Sequence, residues 1–433
     1  MRWIPWLSRS LPPQLLPAVA RRAPLLFPKS RLRCIDCGKE YGKDEVLYVC
    51  PTCGSLLEVV IEPLKVSLKQ MARRPLKVWR YVEFLPVDEG AEIISLNEGG
   101  TPLYSCNKLA RWAGVGSLYI KYEGANPTGS FKDRGMTLGV TKAKSLGSKA
   151  VACASTGNTS ASLSAYAARA GLTCYVILPS GKVAMGKLAQ AMMHGARVIS
   201  VKGNFDDALK LVMDVSLKMG IYLLNSVNPW RLEGQKTLAF EVVDQLGHVP
   251  EIVAVPMGNC GNISAIWKGF KEFEGSGITE VLPRMYGVQA EGASPVVNML
   301  RRNADRLEPV TNPETVATAI RIGNPVNWPK AVRAIRESRG LFEAVSDEEI
   351  VEAQRLIAAL EGIGVEPASA ASVAGVRKAT ASGMMDRRSE VVCVCTGHLL
   401  KDPEEVIGVC GRPLEVSPDL RAVSELLAPQ IRM

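Results

Sequence analysis

Short apolar runs alternate with helical patterns from about residue 95 to residue 395. The runs are rich in Val, Ile, Ala and Cys, and they have the length of buried strands. Strands that alternate with helices are typical of a parallel sheet covered by helices on both faces, so we expect an α/β fold. The strands are predicted at Leu118–Tyr122, Ala150–Ala154, Thr173–Leu178, Arg197–Val201, Ile221–Leu224, Glu251–Val255, Met285–Gln289 and Glu390–Cys395.

Two cysteine pairs precede this region, Cys34 with Cys37 and Cys50 with Cys53, each pair with a two-residue gap. Four thiolates at this spacing are the ligand set of a structural zinc site. With short strands predicted between and after the pairs, the segment indicates a zinc ribbon. A redox dithiol or free surface cysteines are the alternative. A ribbon can also bind nucleic acid, but we expect a structural role.

Composition narrows the class of protein. Apolar residues make up 47% of the chain and charged residues 22%, which is typical of globular proteins and excludes disordered and fibrous classes. No apolar run reaches the roughly 18 residues that a membrane-spanning helix needs. The formal net charge is +9, yet residues 1–33 contain six Arg, one Lys and no acidic residue. The rest of the chain is nearly neutral, which argues against nucleic acid as a partner.

The basic residues 1–31 have the composition of a targeting leader. The alternative, which we favour, is a disordered tail or a start codon assigned too far upstream.

The chain has 11 cysteines, an odd number, and several of them lie inside apolar runs. This usage indicates buried thiols in a reducing cytoplasm rather than a disulfide scaffold.

Lys132 stands in the segment Asn-Pro-Thr-Gly-Ser-Phe-Lys-Asp-Arg-Gly, residues 126–135. Ser130 is predicted to cap a helix that runs to about Leu146, which places Lys132 in the first turn. The helix dipole and burial both disfavour the ammonium form of a lysine at that position. A lysine with a lowered pKa is what Schiff-base chemistry requires.

Three further polar turns follow predicted strands. Residues 155–160 read Ser-Thr-Gly-Asn-Thr-Ser, and the hydroxyls and free backbone N–H groups of such a turn suit an anion. Residues 258–262 read Gly-Asn-Cys-Gly-Asn, where glycines let successive N–H groups surround a phosphate. Thr396 ends the last strand, where a hydroxyl faces the ligand crevice of a wound sheet.

Together these segments resemble the fold-type II pyridoxal-phosphate enzymes, and most closely the family of threonine synthases with an N-terminal zinc ribbon. The resemblance also rests on residues 97–103, Asn-Glu-Gly-Gly-Thr-Pro-Leu, and 225–231, Asn-Ser-Val-Asn-Pro-Trp-Arg. It implies two wound αβα domains with the cofactor in the cleft between them. The implied division is a leader at 1–31, a ribbon at 32–62, a large domain at 63–133 and 230–420, and a small inserted domain at 134–229.

The resemblance implies a cofactor role for eight residues. Lys132 would be the catalytic residue and would join pyridoxal phosphate to the protein. Asn158 would bond the 3′-oxygen of the ring. Thr396 would face the pyridine nitrogen, where a hydroxyl cannot hold the ring protonated as a carboxylate would. The cofactor's phosphate would be held by Gly258, Asn259, Cys260, Gly261 and Asn262.

The implied substrate is O-phospho-L-homoserine, which a β,γ-replacement would convert with water to L-threonine and phosphate. Lys132 would also act as the base. The guanidinium of Arg231 is a suitable fork for phosphate. In the family the substrate's phosphate is held at positions that match Ser155, Thr159, Asn225, Ser226, Arg231 and Asn259.

Two other functions stay open at this point. A related replacement enzyme, such as a cysteate synthase acting on phosphoserine and sulfite, would share nearly all these segments. A catalytically inactive zinc-ribbon binding protein is the alternative from another class. The family usually has Gly where Leu399 stands here, so we expect strain or a remodelled loop if that position needs a left-handed backbone. We further expect a cytoplasmic homodimer without nucleic-acid or membrane partners.

Overall fold

The structure, a computed structural model, describes residues 27–62, 64–155, 157–180, 185–202 and 205–403, with short pieces between residues 407 and 427. Most of the predicted leader, residues 1–26, lies outside the described part. The predicted boundary at residue 31 differs from the structure, because Ser30 and Arg31 already pair with Ile61 and Val60 in a sheet.

The first sheet has three antiparallel strands in the order β2-β1-β3. The strand predicted after the second cysteine pair is present. The strand predicted between the pairs is reduced to a single bridge from Val49 to Leu56. The strands are β1 (Ser30–Cys34), β2 (Glu40–Tyr41) and β3 (Leu57–Ile61).

The largest sheet has six strands in the order β12-β11-β10-β13-β5-β4, all parallel except β4, which pairs antiparallel with β5. The short edge strand β4 and the strand β12 were not among the predicted strands. The bounds are β4 (Leu103–Ser105), β5 (Ser117–Tyr122), β10 (Ile252–Pro256), β11 (Arg284–Ala290), β12 (Leu341–Val345) and β13 (Glu390–Cys395).

A second parallel sheet has four strands in the order β8-β7-β6-β9. All four were predicted, two of them to the residue. They lie within residues 134–229, the range expected for an inserted domain. The bounds are β6 (Ala150–Ala154), β7 (Thr173–Pro179), β8 (Arg197–Val201) and β9 (Tyr222–Leu223).

Helices cover both faces of the six-stranded sheet. Along β10, Ile252 and Ala254 belong to one core and Val253 and Val255 to the other, as the twofold period of a strand requires. The helices are α1 (Leu68–Met71), α2 (Asn107–Ala113), α3 (Lys132–Ser145), α4 (Asn158–Ala170), α5 (Met185–Met193), α6 (Phe205–Met219), α7 (Pro229–Gln235), α8 (Thr237–Leu246), α9 (Gly261–Gly275), α10 (Pro295–Arg301), α11 (Trp328–Glu337), α12 (Asp347–Glu361) and α13 (Pro367–Ala381).

The connections include five 3₁₀ segments, at Val78–Phe84, Glu123–Ala125, Glu291–Ala293, Thr318–Ile320 and Leu399–Lys401. Within the residues that the structure describes, no helix is both long and apolar enough to cross a membrane.

Candidate active site

A cleft of about 230 Å³ lies where the two parallel sheets meet, and the segments after β6, β10 and β13 contribute to its wall. This position agrees with the rule that wound sheets bind ligands at the carboxyl ends of their strands. The cleft brings together all 13 residues predicted to contact cofactor or substrate: Lys132, Ser155, Asn158, Thr159, Asn225, Ser226, Arg231, Gly258, Asn259, Cys260, Gly261, Asn262 and Thr396.

Lys132 is the first residue of α3, as predicted, but Ser130 does not cap the helix. The hydroxyl of Ser130 is buried without a partner in the described structure. Asp133 closes the turn instead, because its carboxylate accepts bonds from the backbone N (2.7 Å) and the hydroxyl (2.6 Å) of Thr128.

The environment of Lys132 favours the neutral amine. Burial lowers the pKa of Lys132 to about 7, and the positive charge of Arg231 adds to that lowering, while Glu366 opposes it. The Nζ atom lies 4.0 Å from the ring centroid of Phe131. A lysine that loses its proton near neutral pH is able to attack an aldehyde.

A buried ion network supports the helix that begins at Lys132. Arg134 is fully buried and is bonded to two carboxylates, with Nε 2.6 Å from Glu123 and Nη1 2.7 Å from Glu241. Lys121 donates a further bond of 2.8 Å to Glu241. Two cationic and two anionic side chains therefore balance in this network. The network holds α3 in place at Arg134, two residues after Lys132.

The segment 97–103 belongs to this support rather than to the cleft. Gly99 N donates to the side chain of Asn126 (2.9 Å), and Gly100 N donates to Glu241 (2.8 Å). A Cβ atom on Gly100 would lie 1.9 Å from the carbonyl oxygen of Leu76, and its φ is +63°, so only glycine fits there. The segment therefore ties the start of the Lys132 turn to α8.

Residues 258–262 form a cradle at the N-terminus of α9. Cys260 has a left-handed backbone with φ of 64°, and a Cβ on Gly258 would lie 3.0 Å from the carbonyl oxygen of Ala319. Both polar side-chain atoms of Asn262 are buried without a partner in the described structure. Free N–H groups at a helix start together with an unsatisfied amide fit a phosphate group.

Arg231 faces the cleft from α7 without an anion. Its side chain is 2% exposed, its Nε has no hydrogen-bond partner, and it forms no ion pair with any described residue. Burial lowers the pKa of Arg231 to about 10. A buried cation without a counter-charge is costly, so the site favours an anionic ligand.

Two of the predicted phosphate ligands are already engaged. The amide of Asn225 exchanges two bonds with the backbone of Ala154, at 2.9 and 3.0 Å, which extends the pairing of β6. The hydroxyl of Ser155 accepts a bond from Gly157 N (3.2 Å). One hydrogen of the Asn225 amide and the proton of Ser155 are left for a ligand.

Glu366 is a residue of the cleft that the sequence did not predict. It is 2% exposed and accepts bonds from the hydroxyl of Thr396 (3.0 Å) and the amide of Asn158 (2.9 Å). Burial raises its pKa, although both bonds oppose the rise. The available signal was an acidic residue directly before Pro367 at the start of an Ala-rich apolar segment.

Leu399 shows no backbone strain, because it is not among the described non-glycine residues with positive φ. It begins a 3₁₀ turn in which the ring Nδ1 of His398 accepts a bond from Leu400 N at 3.0 Å. The Leu399 side chain lies against Gly364, where a Cβ would be 3.1 Å away. The expected strain therefore does not arise, and His398 has a structural role.

The four ribbon cysteines converge, and their Sγ atoms all lie within 4.8 Å of one another. The Sγ atoms of Cys34 and Cys53 are 3.4 Å apart, and those of Cys37 and Cys50 are 3.7 Å apart. Tetrahedral zinc with bonds of about 2.3 Å places its sulfurs about 3.8 Å from each other. The arrangement therefore fits a zinc ion.

A family model described as pyridoxal-phosphate dependent enzyme matches residues 94–397. Solved structures agree at the level of the fold. Threonine synthase from Escherichia coli superimposes with a TM-score of 0.69 at 18% identity, over 92% of this chain and all of that one. Maize serine racemase gives a TM-score of 0.59 at 19% identity, over 77% and 92%. The chain is a fold-type II pyridoxal-phosphate-dependent enzyme.

Curated relatives identify a narrower family for the chain within this fold. Threonine synthase from Methanocaldococcus jannaschii is 58% identical over 400 residues, which cover 91% of this chain and 98% of that protein. The enzyme of the same name from Methanosarcina acetivorans is 56% identical over 399 residues, with 92% and 98% covered. The chain belongs to the threonine synthase family, as the sequence motifs predicted.

Proposed function

We propose that this chain is a pyridoxal-phosphate-dependent lyase that converts O-phospho-L-homoserine and water to L-threonine and phosphate. The observation that carries the proposal is that Lys132, with its lowered pKa, and Arg231, buried without an anion, face one cleft. A substrate with an amine at one end and a phosphate at the other suits these two groups.

The cofactor is proposed to lie with its phosphate in the cradle at 258–262, where Asn262 has unused donor and acceptor atoms. Asn158 and Thr396 would then contact the ring, and Lys132 would hold the aldehyde carbon. Pyridoxal phosphate supplies, when bound, an electron sink for the carbon from which a proton is removed. The protein's contribution is to place that carbon beside a base.

The substrate's phosphate is proposed to bind to Arg231, with Thr159, Ser226 and the remaining hydrogens of Ser155 and Asn225. With the phosphate held at that end, Cα lies toward Lys132, whose neutral amine takes the Cα proton. Loss of a Cβ proton and departure of phosphate from Cγ follow. One of the two removed protons then returns to Cγ, water adds its hydroxyl at Cβ, and the other removed proton returns to Cα. The remaining proton of water goes to the released phosphate, so the atoms balance.

A zinc ion bound by Cys34, Cys37, Cys50 and Cys53 is proposed to have a structural role. The ribbon packs on the enzyme body, because Trp230 belongs to the same buried cluster as Cys34 and Cys50. Two lysines also bond to β3 of the ribbon: Lys268 donates to Val59 O (2.5 Å) and Lys330 to Leu57 O (2.7 Å).

The expected organisation stays a prediction. The ribbon at 32–62, the large domain at 63–133 and 230–420 and the small domain at 134–229 agree with the separate sheets, since no strand of one parallel sheet falls in the range of the other. None of the ten described cysteines is in a disulfide, and the reducing cytoplasm stays a prediction. The homodimer is to be tested by light scattering.

Steady-state assays test the function directly. The holoenzyme is given O-phosphohomoserine alone, or phosphoserine with sulfite, and both phosphate and the amino-acid product are measured. We expect threonine and phosphate in equal amounts from the first substrate. Turnover of phosphoserine and sulfite alone would instead identify a cysteate synthase. Turnover of neither substrate by cofactor-loaded protein would contradict the proposal.

A further inference from the structure

Glu366 joins two residues that come from opposite sides of the cleft. Asn158 begins α4, which follows β6 of the four-stranded sheet, whereas Thr396 follows β13 of the six-stranded sheet. The two carboxylate oxygens are divided between them, Oε2 at 2.9 Å from the Asn158 amide and Oε1 at 3.0 Å from the Thr396 hydroxyl.

The carboxylate has little freedom to choose other partners. The backbone N of Glu366 donates to Gly397 O (3.1 Å), and a Cβ on Gly397 would lie 2.5 Å from Oε1 of Glu366. Ser369 completes the arrangement, since its Oγ lies 3.1 Å from the hydroxyl of Thr396 and accepts a bond from Gly397 N at 3.0 Å.

The chemistry of the partners sets the direction of each bond. An amide nitrogen only donates, so Oε2 accepts from Asn158. The Thr396 hydroxyl has a single proton, and donating it to Oε1 leaves only lone pairs to face the cleft. The second hydrogen of the Asn158 amide stays available as a donor.

We propose that Glu366 is a positioning residue that orients Asn158 as a donor and Thr396 as an acceptor along one edge of the cofactor ring. The inference rests on the proposed function, which puts Asn158 at the 3′-oxygen and Thr396 at the ring nitrogen. An acceptor at that point favours a protonated ring nitrogen. The Thr396 hydroxyl, bonded to the buried carboxylate of Glu366, thus stabilises the protonated ring nitrogen in part, as a carboxylate in direct contact would. This revises the expectation, based on Thr396 alone, that the ring is not held protonated.

Glu366→Gln tests this orientation with little change of volume. An amide in place of the carboxylate sets an N–H group against either the Asn158 amide or the Thr396 hydroxyl, so one of the two bonds is lost or reversed. Glu343→Gln is the control, since Glu343 is also buried and accepts a bond from Ala344 N but does not line the cleft. Glu343 pairs with Arg301, so this control also removes a buried carboxylate from its partner.

The first measurement uses pyridoxal phosphate labelled with 15N in the ring, bound without substrate. We expect the 15N signal of Glu366→Gln to move toward that of an unprotonated pyridine, together with a change in the visible absorption band. Glu343→Gln should match the unsubstituted protein. Identical 15N signals in Glu366→Gln and the unsubstituted protein would overturn the inference. Because no substrate is present, this result does not depend on the identity of the reaction.

A double-mutant cycle with Thr396→Val gives the second measurement. Glu366→Gln should lower kcat about fivefold, with KM for O-phosphohomoserine changed by less than about twofold, because one oriented hydrogen bond contributes about 1 kcal/mol. In the Thr396→Val background the effect of Glu366→Gln on the 15N signal should vanish. Full additivity would show a merely structural role and overturn the inference.

Glu366→Asp guards against failure of the amide variant to fold. Its carboxylate is one methylene shorter and reaches only one of the two partners, so we expect a 15N signal between those of the unsubstituted protein and a variant without the carboxylate, such as Glu366→Ala. If Glu366→Asp and Glu366→Ala both give the 15N signal of the unsubstituted protein, the role proposed for the carboxylate is refuted.

Discussion

The positive charge of Arg231 acts on Lys132, and together with burial it brings the pKa of the lysine to about 7. The two cations have different needs. Lys132 must lose its proton to react with an aldehyde, whereas Arg231 must keep its charge to hold a phosphate. The same buried cleft thus lowers the pKa of the proposed nucleophile and leaves the guanidinium of Arg231 without an anion among the described residues.

Substitution of Arg231 by methionine removes the charge and keeps much of the volume. We expect KM for O-phosphohomoserine to rise about 100-fold, since charged hydrogen bonds contribute about 1.5–3 kcal/mol each. Steady-state kinetics measure this, with Arg302→Met, at an exposed arginine, as the control. An unchanged KM in Arg231→Met would remove this residue from the phosphate site.

Arg231→Met should also shift the pH dependence of the rate at which the cofactor binds. The rate at which the apoprotein combines with pyridoxal phosphate should rise with pH through about 7, where Lys132 loses its proton. Without the charge of Arg231 the ammonium form is less disfavoured, so the pKa of Lys132 rises and the midpoint moves to higher pH. Stopped-flow absorbance gives the profile, and a midpoint that moves to lower pH would contradict the electrostatic account.

Removal of zinc should weaken both the fold and the phosphate site. We expect Cys37→Ser to lose zinc and to unfold at a lower temperature. Because Trp230 packs on the ribbon and directly precedes Arg231 in α7, the substitution should also raise KM more than it lowers kcat. Atomic absorption and a thermal scan measure the first two effects. Cys174→Ser, outside the cluster, should keep its zinc. Equal zinc content in Cys37→Ser would disprove the ligand assignment.

Glu241 is predicted to be a large contributor to stability. Burial alone would raise its pKa, but the charges of Arg134 and Lys121 lower it well below its ordinary value. Its stabilising effect is therefore present at neutral pH and is lost as the pH falls below that ordinary value. Glu241→Ala, which leaves both cations short of an anion, should cost about 3–5 kcal/mol in urea unfolding at pH 7.

The exposed Glu280 provides the comparison for this substitution. Glu280→Ala should change the free energy of unfolding by no more than about 0.5 kcal/mol. A cost for Glu241→Ala as small as that of Glu280→Ala would mean that the network does not hold α3 in place.

Most strands of the two parallel sheets were predictable because strands buried on both faces are continuous apolar runs. The two edge strands were missed: β4 has only three residues, and Glu343 interrupts the apolar run of β12. The polar turns were also predictable, since Gly, Asn, Ser and Thr stand together where strands end. Their convergence in one cleft follows from the topology of wound sheets.

Other features depend on contacts between distant segments. Glu366 lies 208 positions from Asn158 and 30 from Thr396, and its only local signal is an acidic residue directly before Pro367. The failure of Ser130 to cap its helix has the same origin, because Asp133 takes the bonds of the turn. Side chains with several possible partners are the ones that sequence patterns do not resolve.

Reductive trapping of the cofactor shows directly which lysine binds it. Purified protein saturated with pyridoxal phosphate is reduced with borohydride and digested, and the modified peptide is located by mass spectrometry. Attachment of the cofactor to Lys132 predicts one pyridoxyl group per chain on Lys132, and none in Lys132→Ala. Modification at another lysine, or none at all on the unsubstituted protein, would contradict it.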